Sequence, residues 1–237
     1  MTTIIHVVTE GATEREVGRV LHKRGILSAK GKPKPPQWRG MGKREGFEQV
    51  IQALKDQLIP TLRASGNQER LLLIFDQENT ATAQDRANLV GQSLGLQFNQ
   101  YGNHANLFQY QDQDLRLRVM LHVSNADIPG ITRKDFDGYI LMLLQGRNKT
   151  ALAQRLAHVQ VNSGKLLTKV EQELPKLMQQ NKIPWSHAKS WIYAYITVFQ
   201  YRQSHVWFAQ DVVKKADKRE LRRVFAPLIA AWDGLLL

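Results

Sequence analysis

The chain has 237 residues, a formal net charge of +12 at pH 7 and no cysteine, and its pI is about 10. Without cysteine, zinc–thiolate sites, iron–sulfur clusters and thiol catalysis are excluded, which suits a cytoplasmic protein. The length is enough to bury roughly 70% of the unfolded surface, no apolar run approaches the roughly 20 residues that cross a bilayer, and the N-terminus reads as a strand and not a signal peptide, so a soluble cytoplasmic protein is expected.

Ile4–Val8 reads as a short strand leading to Glu10, Gly11 as a turn, and Thr13–Arg24 as a helix with Val17, Val20 and Leu21 on one face. Glu14 then falls in its first turn. The segment Ile26–Gly42 is rich in Lys, Pro and Gly. Pro33, Pro35 and Pro36 forbid a regular helix and disfavour a central strand, so a mobile loop across the top of the sheet is expected. Its positive charges, Lys30, Lys32, Lys34, Arg39, Lys43 and Arg44, with Trp38 among them, suit a phosphate backbone and one stacked base. The plainer alternative is a loop with no partner.

Gly46–Ala64 is an amphipathic helix, with Phe47, Val50, Ile51, Leu54, Leu58 and Leu62 at helical spacing, and Gly66-Asn67 ends it. Leu71–Asn79, LLLIFDQEN, is an apolar run that stops at Asp76 and Glu78. So bounded, it reads as a buried strand of an α/β sheet, and open α/β sheets place their ligands at the carboxyl ends of such strands. Period-two alternation turns the two acids to one side. There they repel unless a cation lies between them, and a hard divalent cation prefers oxygen ligands. Alternatively the acids open a turn, with Asn79 or Thr80 capping the next helix, Thr80–Leu94.

Residues 96–123 read as strands. In Asp114–Val123 the apolar Leu115, Leu117, Val119 and Leu121 alternate with Arg116, Arg118, Met120 and His122, which describes a strand with one apolar face. His104 and His122 are candidate ligands, although a lone strand histidine is more often structural. Asp127–Gly146 starts with a Pro-Gly turn and enters a helix near Asp137, where the acid faces the helix dipole. From Lys149 the chain reads as helical: Ala151–Gln180 with a break at Asn162-Ser163-Gly164, then Ser186 to about Lys215, then Lys218–Leu236. The aromatic residues of this half, Trp207 among them, read as core packing or as a base-stacking platform. A doubly wound α/β layer over residues 1–147, with a helical extension over 148–237 packed on it, accounts for the order of elements.

If the first strand and Leu71–Asn79 are parallel neighbours, Glu10, Glu14, Asp76 and Glu78 gather at one sheet edge. EGATE followed by FDQEN resembles the TOPRIM pattern of strand, Glu-Gly, helix, and a later strand ending in Asp-x-Asp or Asp-x-Glu. The extension to EGxTE is most similar to OLD-like TOPRIM nucleases, here without an ATPase module. Two departures are that Glu78 stands where Asp is commoner and that no Gly follows the pair. The resemblance implies a Rossmann-like, mostly parallel sheet flanked by helices and a Mg²⁺ or Mn²⁺ site held by Glu10, Glu14, Asp76 and Glu78. It adds Asp137 as a fifth acid and Lys189, in HAKSWIYAYIT, as a lysine directed at the metal, with Lys134 as the competing choice. Lys189 also reads as a solvated helical lysine with its stem packed on an aromatic neighbour.

The function expected is hydrolysis of DNA or RNA phosphodiesters, with Glu10 and Lys189 as catalytic groups and little sequence specificity. The net charge points independently to a polyanionic partner. The rival expectation is a basic nucleic-acid-binding module that keeps the fold without turnover. By family analogy a protein partner such as an ATPase, in phage defence or nucleic-acid processing, is also implied.

Overall fold

The computed structural model describes residues 4–27, 37–39, 46–114, 116–184 and 186–237. Lys30, Lys32, Lys34, Lys43 and Arg44 lie outside the described residues. The sheet has six strands: β1 (Ile5–Thr9), β2 (Gln37–Arg39), β3 (Glu69–Asp76), β4 (Asn99–Gln100), β5 (Leu107–Gln111) and β6 (Leu117–Ser124), in the order β2-β1-β3-β6-β5-β4. The pairs β2·β1, β1·β3 and β3·β6 are parallel, and β5 and β4 extend the sheet antiparallel.

A strand covered on both faces needs apolar residues at every position, and Leu71 to Phe75 of β3 are all fully buried. Alternation then sorts them. Leu72 and Ile74 join Ile5, Val7 and Met120 under one helical layer, while Leu71, Leu73 and Phe75 join Val8, Val119 and Leu121 under the other.

The second of these layers holds α2 (Phe47–Ala53), α3 (Ile59–Ala64) and α4 (Ala83–Leu94). The first holds α1 (Ala12–Lys23), α5 (Asp137–Leu144) and the C-terminal helices. Those are α6 (Lys149–Leu156), α7 (Ser163–Thr168), α8 (Leu174–Gln180), α9 (Ala188–Val198), α10 (His205–Lys215), α11 (Lys218–Val224) and α12 (Ala226–Leu236). In this layer α12 packs on β6 and α10 on α1, so the C-terminal half shares the core of the sheet.

Several sequence expectations change. The helix expected over Gly46–Ala64 contains a π-helical segment, Leu54–Leu58, and another, Lys169–Glu173, precedes α8. Each comes just before a proline, Pro60 or Pro175, at the start of the next helix. A wider turn there accommodates a residue that has no N–H to donate and whose ring crowds the preceding turn. β6 is not one-sided: Met120 and His122, on its supposed polar face, are fully buried, because α12 covers that face. The Lys- and Pro-rich loop includes the edge strand β2. Neither Asn79 nor Thr80 caps α4. Its cap is Thr82, in a reciprocal hydrogen-bonded box with Asp85.

Candidate functional site

β1 and β3 run parallel, in register from Ile5 opposite Arg70 to Thr9 opposite Ile74, so their carboxyl ends emerge side by side. The pairing continues one residue further, with Glu10 N–H donating to Ile74 O at 3.1 Å. Asp76 keeps the phase of Leu72 and Ile74 and so turns toward the layer of α1 and α5. Its Oδ1 accepts from Phe136 N–H at 2.8 Å. Glu10, in the phase of Val8, turns toward α4. Its Oε2 accepts from Asp76 N–H at 3.1 Å and from Arg86 Nη2 at 3.0 Å. The acids at the two strand ends are thus joined through one backbone hydrogen bond.

Glu10, Glu14, Asp76, Glu78, Asp137 and Lys189 all line one cavity of about 420 Å³. Glu78 arrives by a route that alternation does not describe. β3 ends at Asp76, and Glu78 has left-handed backbone, φ 53°. Its N–H donates to Lys134 O at 2.8 Å, and its carboxylate meets Arg133 at 2.6 Å. Lys134 sends its ammonium to Asp127 at 3.3 Å, so Lys189 is the lysine at the cavity. The start of α9 is held there by Thr132 and Arg133 N–H groups donating to Ser186 O and by a bridge between Arg133 and His187.

The cavity wall is made largely of helix starts. Glu14 lies in the first turn of α1, Asp137 opens α5, Lys189 lies in the first turn of α9, and His205 opens α10. Helix N-termini carry partial positive charge, which favours acids at those positions and disfavours a lysine. Lys189 therefore stands where helix energetics alone would not place it.

Burial and crowding together raise these carboxyls. Glu14 is pushed up to about 8, chiefly by burial, with Asp137, Glu10 and Asp135 adding repulsion. Asp76 rises well above the usual carboxylate range, first through burial and then through Glu14, Asp135 and Glu10. Glu10 rises less, because Arg86 and the Asp76 N–H oppose its burial.

Asp135 is not among the sequence candidates, yet it lines the same cavity. Burial and the neighbouring Asp137 raise it to about 7, against the pull of Arg133 and Lys189. The sequence does carry a signal for it, since DFD repeats the two-residue acid spacing of DQE. His187, His205 and Arg133 are further lining residues that sequence reasoning misses. His205 Nε2 sits 3.0 Å from Asp137 Oδ1 but is not aligned for a hydrogen bond, leaving both atoms buried without one.

Among the described residues, no three carboxyl or imidazole groups are placed closely enough to hold a metal ion. The donors suit a hard divalent cation in kind: they are carboxylate oxygens, crowded into a buried space, with Asp137 Oδ1 lacking a hydrogen bond. Glu10, Glu14, Asp76, Glu78, Asp135 and Asp137 are the residues that would hold it.

The remaining candidates lie elsewhere. Trp38 is on β2 and packs against α1: a Cβ at Gly18 would stand 2.0 Å from its ring. Arg39 follows it on the same strand. His122 is fully buried beside Tyr139, with Nε2 3.2 Å from the hydroxyl. Burial lowers it to about 3, so it is a packed neutral histidine and not a ligand, and His104 is exposed.

The sequence matches no protein-family model, and no curated protein matches it at a significant level. In three dimensions the chain is similar to the crystal structure of the hypothetical protein PH0156 from Pyrococcus horikoshii OT3. The TM-score is 0.61 over 98% of this chain and 99% of that one, at 12% sequence identity. At that identity the likeness concerns the fold. Among the described residues, no helix is long and apolar enough to cross a membrane.

Proposed function

We propose that the protein is a TOPRIM-like phosphodiesterase that hydrolyses nucleic acid with Mg²⁺ or Mn²⁺. The observation that carries this reading is the meeting of Glu10, Glu14, Asp76, Glu78, Asp135, Asp137 and Lys189 around one cavity at the carboxyl end of parallel strands. When bound, a divalent cation supplies neutralisation of phosphate charge and a lowered pKa for water. The carboxyls hold and orient it. Glu14 and Asp135, whose affinity for protons is raised, release them on loading. Lys189 adds positive charge where the pentacoordinate phosphate becomes most negative. The helix N-termini around the cavity favour the same anion.

A non-catalytic nucleic-acid-binding module is the second reading. It is favoured by Arg86 on Glu10 and Arg133 on Glu78, which already answer two of the acids with protein cations. Incubation of wild type, Glu10→Ala and Asp76→Ala with labelled DNA and RNA in Mn²⁺ separates the two. Metal-dependent cleavage by wild type and its loss in both variants is the expected result. Binding without cleavage by wild type overturns the proposal in favour of the second reading.

A further inference from the structure

A second concavity, of about 760 Å³, lies between α1 and α10, with β2 beside it. It is lined by Arg19, Lys23, Trp38, Trp207 and Lys214. Val206 borders both this groove and the acid cavity. Within the first turn of α10, His205 therefore lies on the acids and Trp207 on the groove, so the two spaces adjoin across Val206.

The chemistry of the lining selects a ligand class. Trp207 is 52% exposed, an unusual cost for a large aromatic ring. The Lys214 ammonium stands 5.5 Å from its ring centroid and 3.1 Å from Asp211, which it shares with Lys215 at 3.8 Å. Trp38 is held by the pairing of β2 with β1 and seated against Gly18. The acid of the groove, Glu16, is already bound by Arg15 at 3.1 Å and Arg19 at 2.6 Å. Two indoles and an excess of cations fit a ligand that offers flat π faces and regularly spaced negative charge. An unpaired nucleic-acid strand offers both, whereas a duplex hides its base faces within its own stack.

We propose that this groove seats an unpaired nucleic-acid strand, with bases against Trp207 and Trp38 and phosphates on Arg19, Lys23 and Lys214. That the strand then passes Val206 into the acid cavity rests on the phosphodiesterase reading; binding in the groove does not. The substrate class is accordingly single-stranded DNA or RNA, or a single-stranded end.

The test is fluorescence anisotropy of the full chain in EDTA, with fluorescein-labelled oligodeoxythymidylate, oligouridylate and a DNA duplex of similar length. At least one of the single strands is expected to bind more tightly than the duplex. Trp207→Ala should weaken that binding by about tenfold, since one stacked base is worth that much, and Trp207→Phe should restore most of it. Lys23→Gln should reduce the log–log salt slope by about one, and Lys214→Gln by less, because its ammonium is shared with Asp211. Trp207 is the chosen aromatic because its exposure lets the fold survive its loss. Equal affinity for duplex and single strands, or unchanged affinity of Trp207→Ala, overturns the proposal. The two readings fail separately. Trp207-dependent binding by a wild type that never cleaves in Mn²⁺ sinks the nuclease and keeps the groove. Metal-dependent cleavage with undiminished binding by Trp207→Ala does the reverse.

Discussion

Raising the pH from 6.5 to 7.5 in the presence of a chelator should destabilise this protein, and Glu14→Gln should remove much of that effect. Glu14 is raised from 4.5 to about 8 and Asp135 from 3.8 to about 7. In the unfolded chain both have lost their protons well before pH 6.5, so the folded state binds more protons. The stability these groups contribute is complete below their unfolded values and is lost as pH rises through their folded ones. Each such proton is worth about 1.4 kcal/mol per pH unit. Glu14 acts across the whole window and Asp135 fades past 7, giving a loss of about 1.4 to 2.8 kcal/mol, or roughly 3–10 °C in Tm. His22 and His122 are lowered from 6.5 by burial and work in the opposite direction, mainly below that pH and fading by 7.5, so the window starts at 6.5 and they trim the loss within it. The assay is urea unfolding followed by circular dichroism at closely spaced pH values. Mn²⁺ should raise the stability of wild type, and more so at pH 7.5, because loading expels the same protons. Parallel pH curves for wild type and Glu14→Gln would refute the reasoning, since they would mean that Glu14 is ionised in the fold like any surface carboxylate.

Arg86 is 4% exposed, bonded to Glu10 and 4.1 Å above the Phe47 ring. Arg86→Met should cost about 3–5 kcal/mol at pH 8 in denaturant unfolding, and less at pH 5, where Glu10 more readily takes a proton. Lys189→Met should lower kcat for Mn²⁺-dependent cleavage by about 10²–10³-fold, leaving Tm and the Mn²⁺ midpoint nearly unchanged because the side chain is exposed; a parallel fall in Mn²⁺ affinity would assign it to the fit of the ion instead. Gly138→Ala places a Cβ 2.6 Å from that of Ala126, and α5 must shift to admit it. A loss of about 1–3 kcal/mol in urea unfolding is expected, with a weaker Mn²⁺ response because Asp137 moves with the helix.

The parts of the site that are legible in the sequence are those encoded by local pattern. An apolar run with an acid at its end marks a buried parallel strand, and two such runs, ending at Glu10 and Asp76, suffice to gather the acids. Alternation assigns Glu78 to the right cavity for the wrong reason, since the chain has left the strand and turned back toward Lys134 before it is reached. Apart from Asp135, the missed residues are those that only tertiary contact selects. Arg86 reads as an ordinary helical arginine, and nothing near it reveals a partner at Glu10. Trp38 reads as a loop residue because the prolines before it hide a three-residue strand that only pairing with β1 stabilises.

The weight of the two functional readings turns on how charge is distributed in the cavity. A structural cluster would match its acids with protein cations and leave their pKa values low. Glu10 and Glu78 are matched in this way, by Arg86 and Arg133. Glu14, Asp76 and Asp135 are not: among the described residues none of them has an ion-pair partner, and all are raised by desolvation and by neighbouring acids of the cavity. Amide side chains at these positions would relieve the repulsion at little cost to packing, since the carboxamide of an Asp76→Asn variant could still accept from Phe136 N–H. Three crowded acids with raised proton affinity and no ion-pair partner fit the proposed site, in which the counter-charge would come from outside the chain. If that counter-charge is a divalent cation, Asp76→Asn should stabilise the chelated protein at pH 8 and at the same time abolish stabilisation by Mn²⁺. A variant that gains no stability in chelator, or that still responds fully to Mn²⁺, would show the repulsion to be answered within the protein.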